Sequence, residues 1–372
     1  MPDSVADPRV ASAIAHWAPR FVANGITLAD FQEVTASIRA WDEWCAKWSA
    51  RADIHAALGC EALSKRQFVS AAEHLSRASV TYHFAKFLFV HDLPQMKAAH
   101  AKAVECHKLA LPHLDPPGEY VRIPYQGKSL AAVLRKPNGI AGVARQERSQ
   151  PNRPPPVVVM AMGLDSAKEE MLAYQETFLS RGMATLTFDG PGQGEAEYDF
   201  PIRGDYEVAV KAVLDWLETR RDVDTVRVGL WGVSLGGYYA PRACAFEKRI
   251  KACIALAGPY DWLGIWDKLP ELTRAAFRVR SHAHDEIAAK QNAATLSLEG
   301  VAHRIECPIF IVSGRLDRIV PPKEAERLAA EVKGPCELLI VPDGNHVANN
   351  RPYRYRPQTA DWMAERLGVA VG

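Results

Sequence analysis

No part of the chain approaches the roughly twenty consecutive apolar residues that a membrane-spanning helix requires. The opening stretch Met1-Pro2-Asp3-Ser4-Val5-Ala6-Asp7 also lacks the basic region and apolar core of an export signal. A charge of one sign is missing too: 45 Lys and Arg stand against 44 Asp and Glu, for a net charge of +1. With that balance no global field would gather nucleic acid or an anionic membrane surface. The seven cysteines, Cys45, Cys60, Cys106, Cys244, Cys253, Cys307 and Cys336, are odd in number, scattered and never in a Cys-x-x-Cys pair. That spacing excludes a disulfide framework and a zinc cluster and predicts reduced thiols. These absences point to a cytoplasmic protein that meets neither nucleic acid nor membrane and holds no metal. A small neutral or aromatic molecule is the expected partner, and self-association to a homodimer stays open.

Proline is absent from Asp30 to Asp92, where Gly59 is the only glycine. Helical periodicity runs through this stretch and on to about Leu114. Phe31, Val34, Ile38, Trp41, Trp44, Cys45 and Trp48 recur at three- and four-residue steps, as do Ala71, Leu75, Ala78, Tyr82 and Ala85. A Trp and Phe stripe of this kind is first of all a core, although an aromatic helical layer could also shape a ring-bearing substrate. At 372 residues the chain is long enough for two units. The helical pattern ends at Asp115-Pro116-Pro117-Gly118, which cannot continue a helix. An all-helical N-terminal domain over 1–115, covering the active site, is therefore expected, followed by a second domain over 116–372.

Beyond the boundary the pattern changes. Glu119 to Pro124 and Lys128 to Lys136 read as an antiparallel pair turning at Gln126-Gly127, and Asn138 to Pro156, polar and rich in proline, reads as a long mobile loop. Strands are then predicted at 157–162, 184–188 and 226–231, alternating with helices at 168–181 and 205–220. Such alternation builds an α/β fold with a mostly parallel sheet flanked by helices.

The third of these strands runs into Gly232-Val233-Ser234-Leu235-Gly236, and a helical pattern follows at once from Gly237 to Ala245. Strand, Gly-x-Ser-x-Gly and helix form a nucleophile elbow, in which the flanking glycines let backbone pass close while the serine Oγ stands clear of the sheet. Ser234 is the candidate nucleophile. The pentapeptide alone is a weak signal, because such stretches are often plain loops; the two flanks give it weight.

In this architecture the orienting acid and then the base come later in the chain. Pro308-Ile309-Phe310-Ile311-Val312-Ser313-Gly314 reads as a buried strand with Asp317 just past its end, and Cys336 to Pro342 reads as another, with His346 in the turn after it. Carboxyl ends of parallel strands are where such sheets place their chemistry. Singly, Asp317 would be a capping carboxylate and His346 a surface imidazole. Together with the elbow they form a Ser234–His346–Asp317 triad. The oxyanion donors are expected to be the N–H of Leu235, at the start of the elbow helix, and the N–H of Leu164, after the strand 157–162, with Gly163 as the alternative. Of the other histidines, those before Asp115 read as core or surface groups. His282 and His284 lie in a lid segment of about 259–304, and His282 is a candidate substrate contact. The stretch Asp189-Gly190-Pro191-Gly192-Gln193-Gly194-Glu195 invites a phosphate-loop reading. It lacks the Lys-Ser or Lys-Thr of that motif, so a tight turn near the pocket is the better account.

With these residues in place the chain resembles the α/β-hydrolases and, within them, the 2,6-dihydroxypseudooxynicotine hydrolase family and the related fungal polyketide-shortening hydrolases. The resemblance rests on Trp41-Asp42-Glu43-Trp44-Cys45, Tyr82-His83-Phe84-Ala85-Lys86-Phe87, Ser166-Ala167-Lys168-Glu169-Glu170, Phe188 to Glu195 and the triad. It implies hydrolysis, without a cofactor, of a carbon–carbon bond next to a carbonyl in a 1,3-dicarbonyl or acyl-aromatic substrate. It also implies an additional glutamate after the strand that follows the elbow helix. The segment Asp261 to Glu271 has no single equivalent, with Asp261, Asp267 and Glu271 as candidates and Gly163, Asp261 and Asp267 as further substrate contacts. A carboxylesterase or thioesterase is the second reading, and a non-catalytic binding protein on the same fold the third.

Overall fold

Capping and chain stiffness set the first helices. In the computed structural model, which describes residues 7–138 and 153–370, α1 covers Pro8–Ala23, α2 Leu28–Ser37, α3 Trp44–Ser64, α4 Phe68–Lys86 and α5 Leu93–Ala110. Thr27 Oγ1 accepts the N–H of Asp30 at 3.1 Å and so opens α2, and Asp92 accepts the N–H of Gln95 at 3.0 Å to open α5, with proline in its first turn. The opening heptapeptide, apart from Asp7, and most of the Asn138 to Pro156 loop fall outside the described residues.

The aromatic stripe packs on itself. Phe21 stacks on Phe84 with ring centroids 3.9 Å apart, and Trp41 stacks on Trp44 at 4.9 Å. Trp48, Phe31 and Phe87 fill in around them, and all three tryptophans are buried. A second cluster, with Ala71, Leu75, Ala78, Tyr82, Ala103 and Cys106 at its centre, joins α3, α4 and α5 through small side chains that allow close helix approach.

The remaining elements are β1 Gly118–Tyr125, β2 Lys128–Arg135, β3 Pro156–Ala161, α6 Leu172–Leu179, β4 Ala184–Phe188, α7 Glu207–Leu217, β5 Asp224–Val233, α8 Gly236–Phe246, β6 Ile250–Leu256, α9 Trp262–Ile265, α10 Glu271–Arg280, α11 Glu286–Ala293, β7 Ile309–Gly314, α12 Pro322–Glu331, β8 Cys336–Val341 and α13 Arg356–Arg366. The β1–β2 hairpin turns at Gln126 and Gly127, both with positive φ, as a two-residue primed turn demands. The eight strands form one sheet in the order β1-β2-β4-β3-β5-β6-β7-β8. The β1–β2 and β2–β4 pairings are antiparallel and all later ones parallel. Every residue of β3 and β4 is buried, which is why these strands read as apolar runs rather than as alternation.

Residues 1–117 and 169–173 form one compact unit, and 118–168 with 174–372 the other. The predicted helix 168–181 is thereby corrected. Lys168–Glu170 is a single 3₁₀ turn, and the α-helix begins only at Leu172. The reason is electrostatic, since a buried charge must be paired. Lys168 is held by carboxylates of the second unit, whereas Glu170 takes its partners in the first: Arg20 Nε and Nη2 at 2.7 Å each, Asn24 Nδ2 at 2.7 Å and His83 Nε2 at 3.1 Å. These partnerships outweigh helical periodicity in setting the backbone of 168–171. No described helix is long and apolar enough to cross a membrane.

Candidate active site

The last six residues of β5 are buried, and Ser234, the residue after the strand, has φ +56°, a left-handed conformation that costs a non-glycine residue about 1 kcal/mol or more. Backbone hydrogen bonds hold it there. The N–H of Ser234 donates to Leu256 O at 2.8 Å, and the N–H of Gly237 donates to Ser234 O at 2.7 Å. The corner closes because Gly236 has no side chain: a Cβ there would sit 2.2 Å from Ala161 O. The serine is only partly buried.

His346 Nε2 lies 2.9 Å from Ser234 Oγ, and His346 Nδ1 lies 2.8 Å from Asp317 Oδ2. The second carboxylate oxygen of Asp317 accepts the N–H groups of Ile319 at 2.8 Å and Val320 at 2.9 Å. Asp317 is thus pinned by backbone on one oxygen and presents the other to the imidazole. The Asp317 side chain is fully buried, and that of His346 is 4% exposed. The turn carrying His346 is braced by a pair of asparagines: Asn345 N–H donates to Asn350 Oδ1 at 2.9 Å, Asn350 N–H to Asn345 Oδ1 at 3.2 Å, and Asn350 Nδ2 to Asp343 O at 2.8 Å. Val347, a β-branched residue at φ +60°, shows that this bracing overrides local preference. Neither Asn350 nor Val347 was singled out from the sequence, because bracing is a property of the closed loop.

Gly163 lies against the elbow: a Cβ on it would come within 3.0 Å of Val233 O and 3.1 Å of Ser234 Cβ. The backbone of Gly163 and Leu164 therefore passes beside the serine. Leu235 begins the turn into α8, and its side chain is buried. Two long-range contacts hold the 162–164 segment. Gln193 Nε2 donates to Met162 O at 2.6 Å and Gly163 O at 3.1 Å, while Arg280 Nη1 donates to Leu164 O. Both side chains are buried, and neither had been assigned a role.

The glycine-rich turn 189–195 is occupied by its own side chains. Lys168 Nζ lies 2.8 Å from Asp189 Oδ2 and 2.8 Å from Glu195 Oε1. Asp189 also accepts the N–H groups of Lys168 and Glu195, at 2.9 Å each. Burial alone would raise the Glu195 carboxyl, but the Lys168 ammonium outweighs it and holds the group below its ordinary value. The N–H groups of Gly190, Gly192 and Gln193 are likewise taken, by Gln193 Oε1, Phe200 O and Gly190 O. A phosphate would find these donors already committed.

The remaining predicted contacts have partners of their own. Asp267 is exposed and pairs with Lys290 at 2.9 Å. His282, at φ +53°, donates from Nε2 to Glu197 O at 2.8 Å. Asp261 is half-buried, its N–H bonded to Glu324, and Glu271 is exposed at the start of α10. The segment 259–304, expected to be a lid, carries α9, α10 and α11, with Phe277 packed against Trp262 and Trp266.

A serine on a left-handed strand corner, hydrogen-bonded through histidine to a buried aspartate at the carboxyl ends of parallel strands, is the arrangement of a serine hydrolase on the α/β-hydrolase fold. The sequence pattern of the prolyl oligopeptidase family matches residues 171–370, and the chain belongs to that family of α/β-hydrolase enzymes. It is 32% identical to a 2,6-dihydropseudooxynicotine hydrolase of Paenarthrobacter nicotinovorans, over 94% of this chain and 91% of that one. The crystal structure of a 2,6-dihydroxy-pseudo-oxynicotine hydrolase superposes with a TM-score of 0.84 at 30% identity, covering 95% of this chain and 97% of the other. A Penicillium oxalicum protein named hydrolyase poxO is 36% identical over 61% of this chain and 53% of its own length.

Proposed function

We propose that the protein hydrolyses a carbon–carbon bond next to a carbonyl, in a 1,3-dicarbonyl or acyl-aromatic substrate, through Ser234, His346 and Asp317. The observation that carries this reading is the similarity to the pseudooxynicotine hydrolase, which runs through the helical unit as well as the hydrolase unit. A triad alone would fit many esterases.

Ser234 Oγ adds to the ketone carbon while His346 Nε2 takes its proton. The N–H groups of Leu235 and Leu164 bind the oxyanion that forms. When the tetrahedral adduct collapses, the carbon–carbon bond breaks and its electron pair passes to the leaving carbon. The imidazolium of His346, held by Asp317, returns the proton to that carbon. Water then gives a proton to His346, attacks the acyl ester and releases the carboxylic acid, and Ser234 regains its hydrogen. A carbanion leaves well only if a second carbonyl or a hydroxylated ring takes up its charge, so the substrate class follows from the leaving group more than from the triad.

Ester or thioester hydrolysis is the second reading. It is favoured by the exposure of Asp267 and its pairing with Lys290, since an ester needs no further acid to help its leaving group depart. Comparing kcat/KM for short p-nitrophenyl esters with that for an aryl 1,3-diketone decides between the two. Diketone cleavage at a rate matching or exceeding ester turnover is expected, and ester turnover with no diketone cleavage reverses the ranking. In either case Ser234→Ala should lower turnover by several powers of ten, and a variant keeping more than about a hundredth of the activity removes the serine from its role.

A further inference from the structure

We propose that Gln193 is a positioning residue for the oxyanion site, fixing the orientation of the Gly163–Leu164 peptide so that the Leu164 N–H faces the reacting carbonyl. The proposal rests on the reading of Leu164 as an oxyanion donor.

The Gln193 side chain is 1% exposed, and its hydrogen-bonding capacity is filled. Nε2 uses both hydrogens, on Met162 O at 2.6 Å and Gly163 O at 3.1 Å. Oε1 accepts the N–H of Gly190 at 3.1 Å and the hydroxyl of Tyr206 at 2.7 Å. The orientation of the amide is forced, because two carbonyls accept only from N–H and a backbone N–H can only donate. Tyr206 is fully buried against Tyr239, with ring centroids 3.8 Å apart. Burial pushes its phenol well above the ordinary range, so it remains a donor throughout the working range of pH.

A trans peptide is planar, so the carbonyl of Gly163 and the N–H of Leu164 point in opposite directions within one rigid plate. Holding the carbonyl from one side aims the N–H to the other. Such a clamp is needed because Gly163 lacks a Cβ, and the peptide beside a glycine rotates at little steric cost. Arg280, reaching from the lid segment to Leu164 O, holds the next carbonyl. The two contacts therefore bracket one peptide and leave its N–H free to face substrate. The glycine-rich turn thus has a task apart from ligand binding: it carries the amide that sets the oxyanion strand end, 30 residues away in sequence.

The test is Gln193→Glu in the full-length protein. The substitution keeps the shape but sets a carboxylate oxygen against two carbonyls. Ser234 is titrated with a fluorophosphonate, so that kcat is expressed per reactive serine. Affinity is measured for an aryl boronic acid, whose serine adduct places an oxygen in the oxyanion position. A fall in kcat per titrated serine of about 10- to 100-fold is expected, as for a donor displaced by a fraction of an ångström to an ångström. Boronate affinity should weaken in the same ratio. An unchanged kcat per titrated serine overturns the proposal, whether the number of reactive sites is preserved or reduced, because a purely structural role would lower only that number. If Gln193→Glu does not fold, Tyr206→Phe, which removes one of the two groups aiming the amide, decides the matter. A fall of at least about threefold per site supports the clamp, and no change refutes it. Full turnover by Ser234→Ala would instead bring down the reading of the site on which the proposal stands.

Discussion

Asp317→Asn is the substitution on which the triad geometry makes its sharpest demand. One oxygen of Asp317 accepts two backbone N–H groups, from Ile319 and Val320, and the other faces His346 Nδ1. An asparagine in this place has only one oxygen. Turning its NH₂ toward Ile319 and Val320 would set donor against donor at 2.8 and 2.9 Å, so the amide oxygen must keep those contacts and the NH₂ must face Nδ1. Nδ1 then has to accept, which moves the imidazole hydrogen to Nε2. Because Nε2 is the atom beside Ser234 Oγ, the wrong tautomer meets the serine and cannot take its proton. In a hydrolase with a related triad the same change costs about 10⁴-fold in kcat, equivalent to about 5 kcal/mol of barrier, and a loss of that order is expected here. Shape and backbone contacts are kept, so the urea midpoint should shift little. Steady-state turnover of the best ester or diketone substrate, set beside the unfolding curve, is the assay. A variant retaining more than about a tenth of wild-type kcat would refute the claim that the backbone pins Asp317 and that this pin selects the histidine tautomer.

Glu170→Ala removes the acceptor of four hydrogen bonds and leaves Arg20, whose side chain is 7% exposed, without its carboxylate. Breaking a buried pair in this way costs about 3–5 kcal/mol, visible as a lower urea midpoint for the tryptophan fluorescence of the helical unit. Burial alone would raise the Glu170 carboxyl, but Arg20 and His83 bring it below its ordinary value. The folded value is depressed, so the stabilisation is fully present above the unfolded value of about 4.5 and is lost as pH falls through that region toward the folded value. Wild type should weaken more steeply than Glu170→Ala between about pH 5 and 3, and parallel pH profiles would contradict this assignment. Lys168→Met leaves the fully buried Asp189 without its cation and should cost a similar amount by the same principle. An unfolding transition identical to wild type would show that the 189–195 turn does not depend on the ion pair.

Local pattern makes much of this protein legible from its sequence. The elbow at Ser234, the strand ends carrying Asp317 and His346, and the stop at Asp115 to Gly118 are each written within about ten consecutive residues. Periodicity, Gly and Pro placement and apolar runs report on backbone conformation directly. The aromatic stripe of the helical unit was readable as core for the same reason. Failure came where a residue's role depends on something far along the chain. The segment 168–171 looked helical, but the partners of Lys168 and Glu170 lie elsewhere in the sequence and overrode propensity. Helix α13 was not anticipated, its mostly polar sequence offering little of a helical apolar stripe. Asp267, one of three candidate acids and by position as readily a solvated carboxylate, is an exposed ion pair with Lys290 in the folded chain.

Chemistry-bearing residue types and their order were therefore set by the one-dimensional string, because a strand, a turn and a helix are specified by neighbours. The 2.9 and 2.8 Å contacts that join serine, histidine and aspartate were decided only when the parallel strands paired. So was the reach of Gln193 across to Gly163. Such contacts depend on the register and twist of the whole sheet, which no short window of sequence contains.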